Sequence, residues 1–400
     1  MPEFGFKNFS HLQAYLSGLG MFHMELGLSR IETALGRLGT LGDAPLMVHV
    51  LGTNGKGSTA FYLREISGAC GIKAGLFTSP HLVDLRERIS VAGKMLAPGR
   101  WLQAANLIES VCGDLGLTYF EFLTLMAHVI FVQEKVELAV FEAGLGGRFD
   151  ATNVFDFDLT VFTSLGRDHC NILGETQELI ARDKSGAIKG APVVSAPQTR
   201  RVREILQCAA KEKDTSCFFL PQKNYASFLS LNHNLARTAF LTVFPDKSQA
   251  PALSDECKQN TFIVPGRLHR VCRNPEIILD GAHNPHALQA LYQALERACF
   301  YPDLIVFNCF ADKDVQGMCA ILQKFCCPVF VFTPEQKDRA YAAEEILHCL
   351  GPRAELINST DWLKSKFNSA GKRILVCGSV YLLGRIYSLF PGWIKSGENI

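Results

Sequence analysis

The stretch GTNGKGST at residues 52–59 decides the fold of this 400-residue chain. It follows the apolar run Leu46–Leu51, which is typical of a buried strand, and it precedes a helical pattern over residues 59–70. Glycines in such a turn let backbone N–H groups approach phosphate oxygens, and the start of a helix adds positive potential. A plain glycine-rich turn is the alternative. The order of strand, loop and helix favours a phosphate-binding loop, although a glycine separates the lysine from the hydroxyl residue, unlike the GxxxxGK[ST] form.

Within this loop, each residue type suggests a separate task. Lys56 can reach the terminal phosphates of a nucleotide, and Ser58 or Thr59 can hold Mg²⁺. Gly55 and Gly57 leave the backbone free to follow the phosphates. The loop therefore predicts a nucleoside triphosphate and its magnesium ion as ligands.

Outward from the loop, short apolar runs alternate with helical patterns along the chain. Further runs lie at residues 73–77, 138–141, 159–163, 277–279, 304–308, 329–332 and 374–377. This alternation predicts an α/β fold with mainly parallel sheet and crossover helices. Turn residues at Arg273-Asn-Pro275 separate two such blocks, so we expect one domain over residues 1–272 and a smaller Rossmann-like α/β domain over residues 273–400.

Polar residues follow the other predicted strands of the first block. Because ligands bind beyond the carboxyl ends of parallel strands, Ser79, Glu142 and His169 are candidates for one metal site beside the loop. Taken one at a time, the alternatives are an ordinary turn serine, a salt-bridged glutamate and a core or surface histidine. Because all three residues follow neighbouring strands, the metal site is favoured over these separate explanations. Arg86 and Arg88 follow the second strand and are equally well explained as solvated charges.

Candidate residues also occur outside these strand ends. Lys184 lies on a predicted helix over residues 178–187, where a lysine ordinarily faces solvent. Asp280 and His283 follow the first strand of the second block, and Arg267 lies upstream of it as a cation that could meet phosphate charge. Each of these signals is weak by itself.

Composition narrows the classes of partner. The formal net charge is +1, so no basic surplus favours nucleic acid, and small molecules are the better expectation. No apolar run reaches the roughly 18 residues of a membrane helix, and the first residues lack the pattern of a signal peptide. The 14 cysteines include no CxxC pair, so we expect reduced thiols and a cytoplasmic protein without membrane partners.

Taken together, these strings resemble the folylpolyglutamate synthase and dihydrofolate synthase family, which is related to the Mur ligases. The matches follow the family's order and cover nearly the whole chain. Besides the loop, the matching strings are GLSRI at 27–31, TSPHL at 78–82, RERI at 86–89, TYFEFLT at 118–124, EAGLGGRFDATN at 142–153, SLGRDH at 164–169, PGRLH at 265–269, DGAHNPHA at 280–287, ADKD at 311–314 and CGSVYL at 377–382.

The resemblance implies a Mur-ligase-like P-loop NTPase domain followed by a glutamate ligase domain. It implies a ligase that uses ATP and Mg²⁺ to add L-glutamate to dihydropteroate, to a reduced folate that already carries glutamate, or to both, through an acyl phosphate. The expected ATP contacts are Gly55, Lys56, Gly57, Ser58, Asn234, Arg267 and Asp280, and the expected metal ligands are Ser58, Ser79, Glu142 and His169.

The same resemblance assigns the remaining positions. The folate pocket would contain Thr118, Tyr119, Phe120, Glu121, Phe149, Asp150 and Ala151. Catalytic roles would fall to Lys56, His169 and Lys184, and His283 is a candidate for the glutamate site. Lys184 stands where the family carries a carbamylated lysine, which would suit a second Mg²⁺. A monomer is the expectation that the family gives.

Two alternatives remain open at this point. A Mur-type ligase would join an amino acid to a cell-wall nucleotide precursor with the same loop and metal chemistry. A P-loop nucleotide-binding module would lack ligase activity altogether. The TYFEFLT and DGAHNP strings favour the folate acceptor, and a second α/β block with its own polar strand ends favours a two-substrate enzyme.

Overall fold

The computed structural model describes residues 5–21, 25, 27–250, 253, 262–333 and 342–400. Strands alternate with helices through most of these residues. The strands are β1 (Leu46–Leu51), β2 (Ala74–Phe77), β3 (Ile89–Val91), β4 (Lys94–Met95), β5 (Leu138–Glu142), β6 (Leu159–Phe162), β7 (Val193–Ser195), β8 (Cys217–Phe219), β9 (His269–Arg273), β10 (Glu276–Leu279), β11 (Leu304–Phe307), β12 (Val329–Phe332), β13 (Ala354–Ile357), β14 (Arg373–Cys377) and β15 (Glu398–Asn399).

The helices fill the connections between these strands. They are α1 (Phe9–Gly18), α2 (Ser29–Leu38), α3 (Lys56–Ala69), α4 (Pro98–Cys112), α5 (Tyr119–Gln133), α6 (Cys170–Leu173), α7 (Gln177–Ser185), α8 (Arg200–Glu212), α9 (Phe228–Val243), α10 (Pro285–Arg297), α11 (Val315–Leu322), α12 (Ala343–Leu350), α13 (Thr360–Phe367) and α14 (Val380–Leu389). Short 3₁₀ helices lie at Leu85–Arg88, Gly113–Leu115, Ala151–Val154, Pro245–Gln249, Gln323–Phe325, Gly351–Arg353 and Pro391–Lys395.

Two sheets organise the chain. The first has the strand order β4-β3-β2-β5-β1-β6-β7-β8, and all neighbours from β2 to β8 pair in parallel. The second has the order β13-β12-β11-β14-β10-β9-β15, in which only β9 and β15 run antiparallel to their neighbours. The α/β fold with mainly parallel sheet that the sequence predicts is therefore confirmed.

The central strands are apolar on both faces because helices cover both sides of each sheet. All of β5 and the last five residues of β1 are buried, which explains why both read as continuous apolar runs. The sequence misses the short strands β3, β4, β7, β8, β9, β13 and β15. β9 spans the predicted domain boundary at residue 272 and pairs with β10 of the second sheet. The division of the chain at that residue remains a prediction.

A single hydrophobic cluster continues from the first sheet into the second. It includes Val48 and Val140 of the first sheet, Leu288 of α10 and Ile305 of the second sheet, all fully buried. A second cluster, rich in aromatic rings, lies beneath α4 and α5. The two sheets therefore share packed core, and their strand ends face a common space.

Among the described residues, none of the helices has the length and apolar character needed to cross a membrane.

Candidate active site

A cavity of about 880 Å³ lies where the strand ends of the two sheets meet. Its wall includes every residue that the sequence proposes for a site, except Asn234 and Thr59, the alternative to Ser58. Those residues are Gly55, Lys56, Gly57, Ser58, Ser79, Thr118, Tyr119, Phe120, Glu121, Glu142, Phe149, Asp150, Ala151, His169, Lys184, Arg267, Asp280 and His283. The structure thus brings together residues that are as far apart in the chain as 55 and 283.

The loop of residues 52–59 forms one wall of the cavity. Gly55 has φ +94°, a left-handed conformation that glycine adopts without strain, and it directly precedes α3. A Cβ atom at Gly55 would lie 2.6 Å from Oδ1 of Asn232, so the position has no room for a side chain. The Lys56 ammonium donates to the carbonyls of Gly52 (3.2 Å) and Thr53 (3.5 Å). The helix start and the ammonium together make this wall suited to phosphate.

Glu142 ends β5 and lies against the start of α3. Its Oε2 accepts from the backbone N–H of Ser79 at 3.1 Å and from the hydroxyl of Thr78. A Cβ at Gly57 would lie 3.3 Å from the same oxygen, so the carboxylate reaches the phosphate-binding loop. Burial raises the pKa of Glu142, while the charge of Lys56 and these two hydrogen bonds oppose that rise. A cation beside the carboxylate would stabilise its charged form.

Two of the residues proposed for Mg²⁺, Ser58 and Glu142, suit that ion. The Oγ of Ser58 is buried and has no hydrogen-bond partner in the described structure, although it lies one residue from the position that Glu142 approaches. Within the described ranges, no group of three or more His, Cys, Asp or Glu residues is arranged to hold a metal. Magnesium is commonly held by one or two carboxylates with water and substrate phosphates, so an orphaned hydroxyl beside one carboxylate suits it.

His169 follows β6 and has a left-handed backbone, with φ +52°. Burial lowers the pKa of His169 to about 4, with nearby Asp168 opposing the shift. The imidazole is therefore neutral at pH 7, which is the form that binds metals. Its Nε2 lies 3.4 Å from the ammonium of Lys313, which belongs to the second half of the chain.

Lys184 is buried rather than solvent-facing, contrary to the ordinary position of a helical lysine. Only 3% of it is exposed, and its ammonium donates to the carbonyl of Gly146 at 3.1 Å. Burial lowers the pKa of Lys184 to about 7, with the charge of Lys56 adding to the effect and Asp183 opposing it. A Cβ at Gly147 would lie 2.7 Å from the Cα of Lys184, so the glycines after β5 let the loop pack directly on α7.

Asp168 connects the two halves of the chain across the cavity. Its carboxylate lies 2.7 Å from Nζ of Lys313 and accepts from Nδ2 of Asn284 at 3.0 Å. Nε2 of His283 lies 3.4 Å away. Burial opposes ionisation, yet the hydrogen bond and charge of His283 and the charge of Lys313 hold the pKa of Asp168 well below its usual range. The carboxylate is therefore a permanent anion at this junction.

A pair of amides reinforces the same junction. Nδ2 of Asn284 donates to Oδ1 of Asn54 at 3.0 Å, and Nδ2 of Asn54 lies 3.3 Å from Oδ1 of Asn284. Asn54 also contacts Nδ1 of His286 at 2.8 Å. The phosphate-binding loop is thus hydrogen-bonded directly to the residues that follow β10.

Asp280 and Arg267 shape the cavity wall on the side of the second sheet. The carboxylate of Asp280 accepts from the backbone N–H groups of Leu268 and Ala282, both at 2.8 Å. Burial raises the pKa of Asp280, and the charge of Arg267 opposes that rise. A Cβ at Gly281 would lie 2.0 Å from Nη1 of Arg267, so the guanidinium lies directly over this turn. Asp280 fixes the linker, and its predicted contact with nucleotide remains a prediction.

An aromatic wall lies on the side of α5. Thr118 and Glu121 form a capping box at the start of this helix, with the Thr118 N–H donating to Glu121 at 2.8 Å. Phe120 packs against Gly144, where a Cβ would meet the ring at 2.7 Å. Phe149 is 46% exposed although it lines the cavity. Flat rings of this kind suit a flat aromatic ligand.

Asp150 stabilises the loop after β5 beside the aromatic wall. Its Oδ2 accepts from the backbone N–H of Leu145 at 2.8 Å, and its Oδ1 accepts from Thr152. The Thr152 hydroxyl in turn lies 2.7 Å from Nε2 of His49, which is fully buried. Among the predicted pocket residues, Asp150 therefore also orders the loop that carries Phe149 and Ala151.

The sequence reasoning missed residues of two kinds. Lys313, Asn284 and Asn54 lie within strings already recognised, but no task was given to them. Asn232 lines the cavity and touches the loop at Gly55, whereas Asn234, two residues on, donates its amide to the carbonyl of Ser230 within α9. No motif surrounds Asn232 in the sequence, so no signal was available for it.

Comparisons with known proteins agree with this architecture. Residues 266–380 match the family model "Mur ligase, glutamate ligase domain". The dihydrofolate synthase/folylpolyglutamate synthase of Escherichia coli is 33% identical over 96% of this chain and 96% of its own. The structure of Escherichia coli FolC with DHPP and ADP has a TM-score of 0.83 at 28% identity, covering 96% of this chain and 98% of that one. The bifunctional protein of Yersinia pestis with AMPPNP and a Mn ion gives 0.83 at 29% identity over the same shares.

Fold and site together define a protein of the Mur ligase type, with a P-loop NTPase half and a glutamate ligase half. More narrowly, the chain belongs to the dihydrofolate synthase/folylpolyglutamate synthase family. It is an ATP-dependent ligase, and the family expected from the sequence strings is confirmed.

Proposed function

We propose that this enzyme adds L-glutamate to dihydropteroate, to folylpolyglutamate, or to both. One observation carries the proposal: the phosphate-binding loop, the buried carboxylate of Glu142, the aromatic wall and the residues after β10 all line a single cavity. Three reactants must meet for this reaction, namely ATP, a flat acceptor with a carboxylate, and glutamate. The cavity offers a wall of suitable chemistry to each of them.

The chemistry requires an activated acceptor, since a free carboxylate is a poor acyl donor at neutral pH. An oxygen of the acceptor carboxylate attacks the γ-phosphorus of ATP, the bond to the β-phosphate breaks, and an acyl phosphate and ADP result. The amine of glutamate then attacks the acyl carbon, the amide bond forms and inorganic phosphate leaves. Catalysis of both steps depends chiefly on positioning and charge stabilisation.

The residues of this chain supply that positioning. We assign the phosphates of ATP to the backbone of Gly55, Gly57 and Ser58, with Lys56 offsetting charge on the γ-phosphate. Ser58, Ser79, Glu142 and His169 would hold Mg²⁺, which neutralises phosphate charge when bound. Arg267 lies over the turn at Gly281 on the opposite wall, where it can meet the same charge.

The acceptor and glutamate would occupy the other two walls. The ring of the acceptor would lie along Thr118, Tyr119, Phe120, Glu121, Phe149, Asp150 and Ala151. His283 lines the cavity after β10, so its side chain is placed to meet glutamate as that amino acid enters. The contact of Asp168 with Lys313 and Asn284 holds the two halves together around the reactants.

Lys184 is proposed to carry a carbamate. Carbon dioxide reacts with neutral amines, and a pKa of about 7 leaves a large neutral fraction at physiological pH. The product would be an anion in place of a cation, near Asp183 and Asp150, and a second Mg²⁺ would then suit the site. The carbamate oxygens would supply the negative charge that a second metal ion needs in its ligands.

The proposal is tested by ADP release from the purified enzyme with Mg²⁺, ATP and glutamate. Dihydropteroate and tetrahydrofolate are offered separately, and products are identified by mass, with omission of glutamate as the control. Glutamate addition to both acceptors establishes a bifunctional enzyme, and addition to one names a monofunctional one. If neither acceptor gains glutamate, the folate proposal is wrong, and a cell-wall nucleotide precursor is the next substrate.

We also propose a location and an assembly for the enzyme. No disulfide links the described cysteines, which suits the reducing cytoplasm. We propose a monomer, because both halves that line the cavity come from one chain. Light scattering at working concentration tests that assembly.

A further inference from the structure

Arg88 is an unusual cation in the wall of this cavity. It ends the 3₁₀ helix Leu85–Arg88, lines the cavity, and is only 3% exposed. Its Nε donates to Nδ1 of His81 at 2.8 Å, and its guanidinium lies 5.3 Å from the ring centroid of Tyr119. Among the described residues, no carboxylate lies within ion-pair distance of Arg88. The alternative that Arg88 is a solvated surface charge, which the sequence left open, is therefore wrong.

Both partners of Arg88 are uncharged. Nδ1 of His81 accepts the hydrogen bond from Arg88, so that nitrogen carries no proton and the imidazole is neutral. Burying an arginine without an anion is strongly unfavourable, and native proteins pair such groups. Its neighbour Arg86 shows the ordinary solution, with Nη2 lying 2.6 Å from Oδ2 of Asp84.

The other cations of the cavity already have anions or assigned tasks. Lys313 pairs with Asp168, and Lys184 lies near Asp183. Lys56 and Arg267 are assigned to phosphate. Arg88 is the remaining buried cation of the described cavity wall, and it needs an anion that the chain does not provide.

Tyr119 adds a second unsatisfied group at the same place. It is 3% exposed, lines the cavity, and its hydroxyl has no hydrogen-bond partner in the described structure. Burial raises the pKa of Tyr119, so the phenol keeps its proton and remains a donor. A guanidinium without an anion and an adjacent phenol without an acceptor are suited to one carboxylate.

The position of this pair identifies which carboxylate it can bind. The backbone carbonyl of Arg88 accepts from the N–H of Thr78 at 2.9 Å, so Arg88 lies beside the residues that contact Glu142. Tyr119 begins α5, on the acceptor side of the cavity. The pair therefore lies between the proposed place of phosphoryl transfer and the proposed place of the acceptor ring.

We infer that Arg88 and Tyr119 form a subsite for the α-carboxylate of an acceptor that already ends in glutamate. This inference rests on the proposed function. In such an acceptor the γ-carboxylate is activated, and the α-carboxylate, a short aliphatic spacer away, needs a separate counter-charge. Dihydropteroate has a single carboxylate, the one that reacts, so it leaves this subsite empty. Arg88 then determines how well the enzyme extends folates, as distinct from making the first glutamyl bond.

The test compares Arg88→Met and Arg88→Lys with the wild-type enzyme on both acceptors. In Arg88→Met, kcat/KM for tetrahydrofolate should be about 10- to 100-fold lower than in the wild type, because one charge-assisted contact disappears. The change should lie mainly in KM. With dihydropteroate, the change should stay within about threefold, since that contact does not exist. Arg88→Lys keeps the charge but lacks the planar fork, so it should recover only part of the loss.

Arg86→Met is the matched control, because Arg86 lies on the same short helix, pairs with Asp84 and is outside the cavity wall. A second arm changes the substrate. The analogue in which 4-aminobutyrate replaces glutamate keeps the reacting carboxylate and lacks only the α-carboxylate. It should be a poor acceptor for the wild-type enzyme, and Arg88→Met should cause no further loss with it, as expected for two changes that remove one contact.

The outcomes separate the inference from the proposed function. If the wild-type enzyme adds glutamate to neither acceptor, the proposed function fails and the inference falls with it. If the wild type uses dihydropteroate alone, the ligase proposal stands and the subsite is refuted. If Arg88→Met lowers kcat/KM equally for both acceptors, the inference is overturned. It is also overturned if the loss caused by Arg88→Met and the loss caused by the 4-aminobutyrate analogue add in full when the two are combined. The thermal midpoint of each variant shows that it is folded, and the analogue arm needs no variant to be informative.

Discussion

The carboxylate of Asp168, which follows β6, lies 2.7 Å from the ammonium of Lys313, which follows β11, so a nearly buried ion pair joins the two halves of the chain. Lys313→Met should lower the free energy of unfolding by about 3 kcal/mol, because it leaves a buried carboxylate without its nearest cation. The double variant Asp168→Asn/Lys313→Met should lose less than the sum of the single variants by about 1–3 kcal/mol. Urea titration measures all four proteins, and additive losses would contradict the pairing.

The same pair predicts a pH dependence of stability. The pKa of Asp168 is held well below its usual range, so the folded state favours the ionised form. Its contribution is fully present above the unfolded pKa of about 4 and is lost as pH falls toward the depressed folded value. The gap in thermal midpoint between wild type and Asp168→Asn should therefore be constant from pH 8 to 5 and shrink below about pH 4. A gap that grows on acidification would disprove the assignment.

Lys56→Ala should reduce kcat by at least about a hundredfold, the scale of losing one key electrostatic group in the transition state. The expected cause is uncompensated charge on the γ-phosphate. Steady-state ADP release measures the effect, and Lys211→Ala, on the exposed surface of α8, is the control. Turnover close to that of the wild type would remove Lys56 from the mechanism.

Glu142→Gln should raise the Mg²⁺ concentration for half-maximal activity by about tenfold or more. Glutamine retains an oxygen for the Ser79 N–H but lacks the charge that favours a divalent ion. The exposed Glu137, at the entrance to the same strand, supplies the control Glu137→Gln. An unchanged magnesium titration would exclude Glu142 as a ligand.

Lys184 should become carbamylated in a pH-dependent way. With a pKa of about 7, its neutral fraction rises from about a tenth at pH 6 to about nine tenths at pH 8. Solution ¹³C NMR with labelled bicarbonate should show a carbamate signal that grows over this range and is absent in Lys184→Met. A signal that persists in the variant would assign the carbamate to another amine.

The two asparagines of α9 can be told apart. Asn232 lies against Gly55, so Asn232→Ala should raise KM for ATP about tenfold by loosening the phosphate-binding loop. Asn234→Ala tests the nucleotide contact that the family resemblance implies, whereas the amide in this structure donates to Ser230. If only Asn234→Ala raises KM for ATP, the nucleotide contact predicted from the sequence is right and the task given to Asn232 is wrong.

Long, buried elements could be predicted from the sequence, because burial on both faces leaves a continuous apolar run. β1 and β12 have the bounds that the sequence predicts, and α3 begins three residues before its predicted pattern because its first turn, Lys-Gly-Ser, contains no apolar residue. Short strands such as β3 and β15 leave no such run. Their pairing depends on neighbours distant in the chain, which a local pattern does not contain.

The candidate site was predictable to the extent that recognisable strings carry it. Gly55, Glu142 and His169 stand at strand ends, and the structure brings them to one cavity. Contacts across the two halves were not predictable, since nothing in the sequence places Lys313 beside Asp168. The burial of Arg88 was equally hidden, because a charged residue in a loop gives no local sign of the groups that will cover it.

The hydrophobic cluster that runs from Val48 through Leu288 to Ile305 determines whether the two halves of the chain can exist as separate proteins. Severing the chain between its halves would leave each fragment with a large uncovered apolar face, and such faces drive aggregation. Neither fragment should therefore persist as an independent module. If recombination exchanged one half for that of a relative, the side chains of the new half would have to pack against the other half within this cluster. The residues of the two halves that meet in the cluster should therefore evolve together.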